Sequence, residues 1–159
     1  LWTGKYLKSR GFEQYEISNY AREGKQSAHN LRYWERKDYL GLGLGGASMI
    51  RNMRMSNTRD WDKYMAYCRD PGKIREEVEV LEESGQMEEF MFLGLRKTRG
   101  ISKKEFRRTF GKDIDLVYEK TLEKYLKNGM LQESGDRIFL SEEGILLSNQ
   151  VFADFLFDG

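Results

Sequence analysis

The residues with the widest chemical reach stand together in one short run, His29-Asn30-Leu31-Arg32-Tyr33-Trp34. It joins an imidazole, an amide, a guanidinium and two large aromatic rings, and His29 is the sole histidine of the chain. A neutral imidazole is a metal ligand and aromatic rings can wall a flat macrocycle. Axial ligation of heme iron is therefore one chemistry the set can serve, with Arg32 and Arg36 as partners for propionates. A lone histidine is also commonly a hydrogen-bonded structural residue, and spacing alone leaves both open.

A second motif, Gly41-x-Gly43-x-x-Gly46, matches the dinucleotide fingerprint letter for letter. That chemistry needs a helix to begin inside the motif, so that its first amides meet pyrophosphate. Met49-Ile50-Arg51-Asn52-Met53-Arg54 follows instead, with no apolar helical stripe and no evident βαβ unit. The dinucleotide match is false. Glycines this dense let the backbone approach a neighbouring chain or a ligand closely, and they weaken a strand that serves packing alone, which favours the ligand. Cys68, the only cysteine, makes no intramolecular disulfide and cannot by itself hold an iron–sulfur cluster. It has no recognisable catalytic partner and is expected on a buried helix face.

The elements that must position these groups fall on either side of Asp70-Pro71-Gly72, which holds the only proline. A division there separates residues 1–72 from residues 73–159. In the first part, Gly11 to Ile17 alternates and predicts a strand, Ser18 to Arg32 is loop, and Tyr39 to Ser48 is a buried, Gly-rich strand and its exit. Trp61, Tyr64, Met65 and Cys68 mark one helical face. In the second part, Val80, Met87, Phe90, Met91 and Leu95 form one stripe of a long helix, for which core packing explains more than a partner groove. Ser102 caps the next helix, with Glu105 completing the box and Ile101 stapled onto Phe106. Ile114 to Leu126 repeats at three and four until Asn128-Gly129, Leu131 to Leu140 is a hairpin, and Ser141 caps a last helix carrying Ile145, Phe152, Phe155 and Leu156. This is the order of a winged-helix-like domain.

The chain has 159 residues, 39% hydrophobic and 33% charged, enough for one ordinary domain or two small ones. No apolar run approaches the ~20 residues of a membrane helix. The start, Leu1-Trp2-Thr3-Gly4, lacks an initiator Met and any leader pattern, and is expected to be the middle of a longer chain. Residues 1–72 carry 13 Lys/Arg against 8 Asp/Glu and residues 73–159 carry 14 against 18, that is +5 and −4. The expected reading helix, Val117 to Lys127, mixes Lys120, Lys124 and Lys127 with Glu119 and Glu123, a solvated face rather than a phosphate-binding one. Nucleic-acid binding through a winged helix is the least favoured alternative.

Three consecutive segments, Gly11 to Ala21, His29 to Trp34 and Asp38 to Gly43, closely resemble signatures of the radical S-adenosylmethionine family of oxygen-independent coproporphyrinogen III oxidase-like proteins, on the side of the HemW-type heme chaperones. Glu88-Glu89-Phe90-Met91-Phe92-Leu93-Gly94-Leu95-Arg96 resembles the opening of that family's C-terminal domain, and Phe106, Phe110-Gly111, Asn128-Gly129-Met130-Leu131 and Ser148-Asn149 continue it. The resemblance implies an α/β region followed by a mainly α domain: late strands and helices of a partial TIM-like barrel in residues 1–72, then the winged-helix-like domain in residues 73–159. It further implies heme binding by His29, Asn30, Tyr33 and Trp34 with His29 on the iron, and S-adenosylmethionine near Gly43, Leu44 and Gly45. The family's three-cysteine motif for a 4Fe-4S cluster is absent, so this portion alone is expected to be inactive in radical chemistry. Heme or porphyrin and heme-accepting proteins are the implied partners, and the cytoplasm the implied location. An authentic coproporphyrinogen oxidase, converting propionates to vinyls, is the competing assignment.

Overall fold

Residues 2–157 are described by a computed structural model. Helix α1 (Trp2–Ser9) leads to a short antiparallel pair, β1 (Glu13–Gln14) with β2 (Tyr20–Ala21). The strand expected over Gly11–Ile17 therefore shrinks to two residues, because the chain turns back at Ile17 and Ser18. Helix α2 (Ala28–Trp34) begins where Ser27 Oγ accepts the Asn30 N–H, an N-cap inside what the sequence predicts as loop.

Strands β3 (Ala47–Ile50) and β4 (Met53–Asn57) form a hairpin. Its two turn residues, Arg51 and Asn52, both have positive φ (51° and 61°), the left-handed pairing that matches strand twist. The Gly-rich run ahead of β3 is not a buried strand. It folds into a tight loop in which Gly43 and Gly45 take φ of 85° and 66°, while Leu40 and Leu42 are exposed. A Cβ on Gly41 would stand 2.2 Å from the Ala47 carbonyl oxygen, so the loop's own closure demands glycine. Helix α3 (Trp61–Tyr67) carries Trp61 and Met65 into solvent, and Cys68 at its end is exposed rather than buried. Of that face only Tyr64 is half-buried, which is why the helical spacing misleads.

After helix α4 (Pro71–Ile74), strand β5 (Arg75–Val80) pairs antiparallel with β4 and completes a three-stranded sheet in the order β3-β4-β5. The sheet thus runs across the expected division at residue 72, and Val80 ends a strand instead of opening a helix. Every strand pair among the described residues is antiparallel.

Helix α5 (Glu83–Gly94) turns Met87 and Met91 into the core, with Leu95 following. Strand β6 (Ile101–Ser102) and helix α6 (Lys103–Phe110) meet at Ser102, whose Oγ accepts the Glu105 N–H at 3.0 Å. The hydroxyl donates onward to Asp136, so it is held by the hairpin as well as by the helix it caps. Gly111, at φ 66°, closes α6 with its amide on the Arg107 carbonyl. The expected third helix is broken at Tyr118 into α7 (Ile114–Val117) and α8 (Glu119–Lys127), because the buried Tyr118 leaves helical geometry to reach Phe155 and Phe106. Strands β7 (Leu131–Ser134) and β8 (Arg137–Leu140) form the expected hairpin and join β6 in the order β6-β8-β7. Ser141 caps α9 (Glu142–Leu146), and a second break at Leu147 starts α10 (Ser148–Ala153). Phe106, Tyr125, Phe155, Met91 and Ile138 are wholly buried in one core, each large apolar side chain contributing about 1.5–3 kcal/mol.

The two parts meet along a short seam. Ile17 donates its N–H to the Arg96 carbonyl at 2.9 Å, Thr98 donates to Tyr15, and Glu16 faces Lys97 across an isolated antiparallel bridge. No helix among the described residues is long and apolar enough to cross a membrane.

Candidate functional site

Seven residues of helix, capped by Ser27, place His29 and Tyr33 one turn apart on the same side of α2. Their rings meet edge to face at 4.8 Å, and Tyr33 meets Tyr39 in the same manner at 4.5 Å. His29 is exposed at the outer end of this aromatic ladder. Tyr39 is fixed by paired backbone hydrogen bonds with Met49 of β3, at 2.8 and 3.0 Å. The ladder is thereby anchored in the sheet.

Asn30 and Trp34 occupy the adjacent side of α2. The Arg96 guanidinium lies 4.4 Å from the centre of a Trp34 ring, a cation–π contact between the two parts of the chain. The indole Nε1 of Trp34 is buried and has no hydrogen-bond partner. The six-residue motif is thus divided: His29 is exposed with the half-buried Tyr33 packed between it and Tyr39, while Trp34 lines a cavity.

The two arginines expected to hold propionates are engaged elsewhere. Arg32 Nη2 donates to the Asp38 carbonyl at 2.9 Å. Arg36, in left-handed backbone geometry (φ 50°), donates through Nε to Glu89 at 2.9 Å and through Nη2 to Asn52 at 3.1 Å. Arg54 also pairs with Glu89. Burial, with Arg54 beside it, pulls the Arg36 pKa down to about 10, which leaves it charged at neutral pH. Glu89 is a buried carboxylate shared by two guanidiniums, and it ties α5 to α2 and β4.

The glycine loop lies beyond Tyr39. Asn57 Nδ2 donates to the Gly43 carbonyl at 2.8 Å, and the Gly45 N–H donates to the Thr58 carbonyl at 3.0 Å. Leu44 is exposed. The structure therefore sets Gly43, Leu44 and Gly45 on one loop and the heme-motif residues on one helix, with Tyr39 between them in sequence and in the aromatic ladder.

A cavity of about 260 Å³ opens between α2, α5 and β6, lined by Trp34, Phe90, Lys97, Arg99, Ile101 and Glu105 among others. Lys97 is buried, and that burial pushes its pKa down to about 8, with Arg99 acting in the same direction and Glu35 against it. Glu35 bridges Lys37 and Arg99; burial opposes its ionisation, but Lys37, Lys97 and Arg99 together outweigh that and lower its pKa. Sequence reasoning missed Tyr39, Glu89 and Lys97. The run Gly94-Leu95-Arg96-Lys97-Thr98-Arg99 carries no pattern that separates a buried lysine from its exposed neighbours.

Iron–sulfur ligation does not fit these residues: Cys68 is alone and exposed, and no cluster of three His, Cys, Asp or Glu exists among the described residues. Heme fits better, since the His29 imidazole is open to an incoming iron and is braced from one side by Tyr33.

Residues 81–147 match the HemN C-terminal domain family. The heme chaperone HemW of Bacillus subtilis (strain 168) is 38% identical over 151 residues, covering 94% of this chain and 40% of that protein. HemW of Lactococcus lactis subsp. lactis (strain IL1403) is 32% identical, covering 96% of this chain and 40% of its own length. In fold, the chain is similar to the coproporphyrinogen III oxidase HemN of Escherichia coli, described as a radical SAM enzyme, with a TM-score of 0.74 at 16% identity, covering 97% of this chain and 39% of that one. The chain spans about 40% of the length of these relatives. Similarity that runs through both the ladder helix and the helical core shows that the chain belongs to the HemN and HemW family.

Proposed function

We propose that this chain is the C-terminal portion of a radical SAM heme chaperone, and that it handles heme as cargo through His29. The observation that carries this is the ladder His29–Tyr33–Tyr39, which presents the sole imidazole to solvent on a support anchored in a sheet. Heme iron offers an axial position that a neutral imidazole nitrogen fills. The Tyr33 edge would hold the His29 ring in one orientation, Asn30 and the Ser27 cap would fix the helix start, and Trp34 would secure the other side of α2. Gly43, Leu44 and Gly45 would border S-adenosylmethionine at the mouth of the assembled protein, in the cytoplasm. The 4Fe-4S cluster would be held by residues outside those described.

In this reading the first part is the end of a partial TIM-like barrel with its antiparallel extension, and the second is a winged-helix-like domain. What supports the second is the order α5, β6, α6, α8, β7, β8 with sheet order β6-β8-β7. The division falls better at Leu81 than at residue 72, since β5 pairs with β4 and the family match begins at residue 81. The wing-bearing domain would serve as a cover rather than a nucleic-acid reader: Lys103 is paired with Asp115 and Glu133, and Lys124 with Asp154.

Titration of ferric heme into the chain tests the proposal. Wild type is expected to shift the Soret band saturably and His29→Ala to lose that shift; identical spectra and affinities would reject His29 as ligand. The fold likeness to HemN keeps the oxidase alternative in view. Anaerobic incubation of the full-length, cluster-reconstituted protein with coproporphyrinogen III decides it, and appreciable protoporphyrinogen formation would overturn the chaperone assignment.

A further inference from the structure

The cavity between α2, α5 and β6 holds a cation that the fold does not match. Lys97 is 7% exposed, yet its Nζ makes no hydrogen bond or ion pair among the described residues. The stem is buried while the ammonium itself stays accessible at the cavity wall, where an entering anion can reach it. Of the nearby carboxylates, Glu35 holds Lys37 and Arg99 and Glu105 faces Arg108 at 4.0 Å; Glu16, across the β-bridge, accepts the Ser18 N–H through Oε1 at 3.0 Å and keeps Oε2 buried without a partner. Trp34 lines the same cavity, and its buried indole Nε1 has no acceptor. Two unmatched donors beside one cavity describe a place for an acceptor.

We propose that this cavity binds a carboxylate, with the Lys97 ammonium and the Trp34 indole N–H on its oxygens and Phe90 and Ile101 beside its aliphatic stem. The lining selects the class. Arg36, Lys37, Lys97 and Arg99 against Glu35 and Glu105 leave 4 − 2 = +2, but only Lys97 among these cations lacks a carboxylate partner among the described residues. One free ammonium flanked by two carboxylates suits a monoanion and disfavours a dianionic phosphate. The apolar flank from Phe90 and Ile101 suits a short hydrocarbon stem. Burial weakens the proton on Lys97, so an arriving anion strengthens it, and binding takes up a proton near neutral to mildly alkaline pH.

This inference rests on the heme reading only for which molecule carries the carboxylate. The probe is sodium propionate, followed by NMR of the Lys97 side chain in the specifically labelled chain. Saturable shifts and a raised Lys97 pKa are expected, and Lys97→Met should abolish tight uptake while remaining folded by circular dichroism. Lys120→Met should leave uptake unchanged. Shifts no larger than those with sodium chloride at equal ionic strength would overturn the site, and stronger uptake of inorganic phosphate than of propionate would overturn its class. Heme and its dimethyl ester then identify the source. Roughly tenfold weaker binding of the ester to wild type, equalised in Lys97→Met, assigns a porphyrin propionate, the size being that of a charge-assisted hydrogen bond. No ester effect alongside propionate uptake assigns a free acid. Loss of the His29 dependence would leave the propionate signal untouched, so the two ideas fail separately.

Discussion

Lys97 and His29 show how differently two side-chain nitrogens can be placed. His29 stands in solvent on a stack of aromatic rings. Lys97 is buried among Phe90, Ile101 and Trp34, with Arg99 and Arg137 opposing its charge and Glu35 and Glu105 favouring it. Its folded pKa of about 8 lies below the ordinary 10.5. Between those values the unfolded chain binds more protons than the folded one, so stability rises with pH across that window. The gain is at most about 3 kcal/mol. Lys97→Met is accordingly expected to raise stability at pH 7 and to flatten the rise between pH 8 and 10.5, as measured by urea denaturation at stepped pH. A lower stability for the methionine variant at pH 7 would mean that the ammonium already has a partner.

At the scale of elements, local signals were legible wherever a side chain itself made the boundary. Ser102 and Ser141 were readable as caps, and the Leu131–Leu140 hairpin as a turn between alternating runs, because those bonds join residues a few positions apart. Ser102→Ala is expected to cost about 1 kcal/mol, with more where the Asp136 contact is also lost, and thermal denaturation would register it. The two helix breaks at Tyr118 and Leu147 were not legible, since they follow from which side chains the core admits. The Gly41–Gly46 segment misled for a related reason: alternating leucines imitate a strand, but the glycines between them serve a loop that closes on itself. Gly41→Ala is expected to dislodge that loop and weaken the Tyr39–Met49 bridge, seen as faster amide exchange at Met49. Unchanged exchange would show that the close approach to Ala47 relaxes easily. In the site, the helical spacing of His29 and Tyr33 was readable from sequence once a helix was granted, whereas Tyr39 was not, because its contact crosses a turn.

Across the whole molecule, Glu89 is the point where the two parts depend on each other. It is 3% exposed and carries Arg36 from the end of α2 and Arg54 from β4. Removing one partner of a buried pair leaves an uncompensated charge, worth about 3–5 kcal/mol. Glu89→Ala should destabilise the intact chain by that order. In an isolated segment of residues 81–159 the two arginines are absent, so the same substitution should be neutral or stabilising there. That segment contains the aromatic core of Phe106, Tyr118, Tyr125 and Phe155 and is expected to unfold cooperatively by itself in urea. A segment that melts without a transition would show instead that its core needs the first part. The likeness to HemW extends over both parts although the named domain covers only residues 81–147, and the joint at Glu89 lies between them.

An iron–imidazole bond in this protein can come from one residue alone, the single histidine of the chain. Biosynthetic ¹⁵N-histidine therefore labels one residue. Pulsed EPR of the ferric heme complex should then show a ¹⁵N coupling from His29 beside the ¹⁴N signals of the macrocycle. A spectrum containing only ¹⁴N couplings, with heme demonstrably bound, would contradict it.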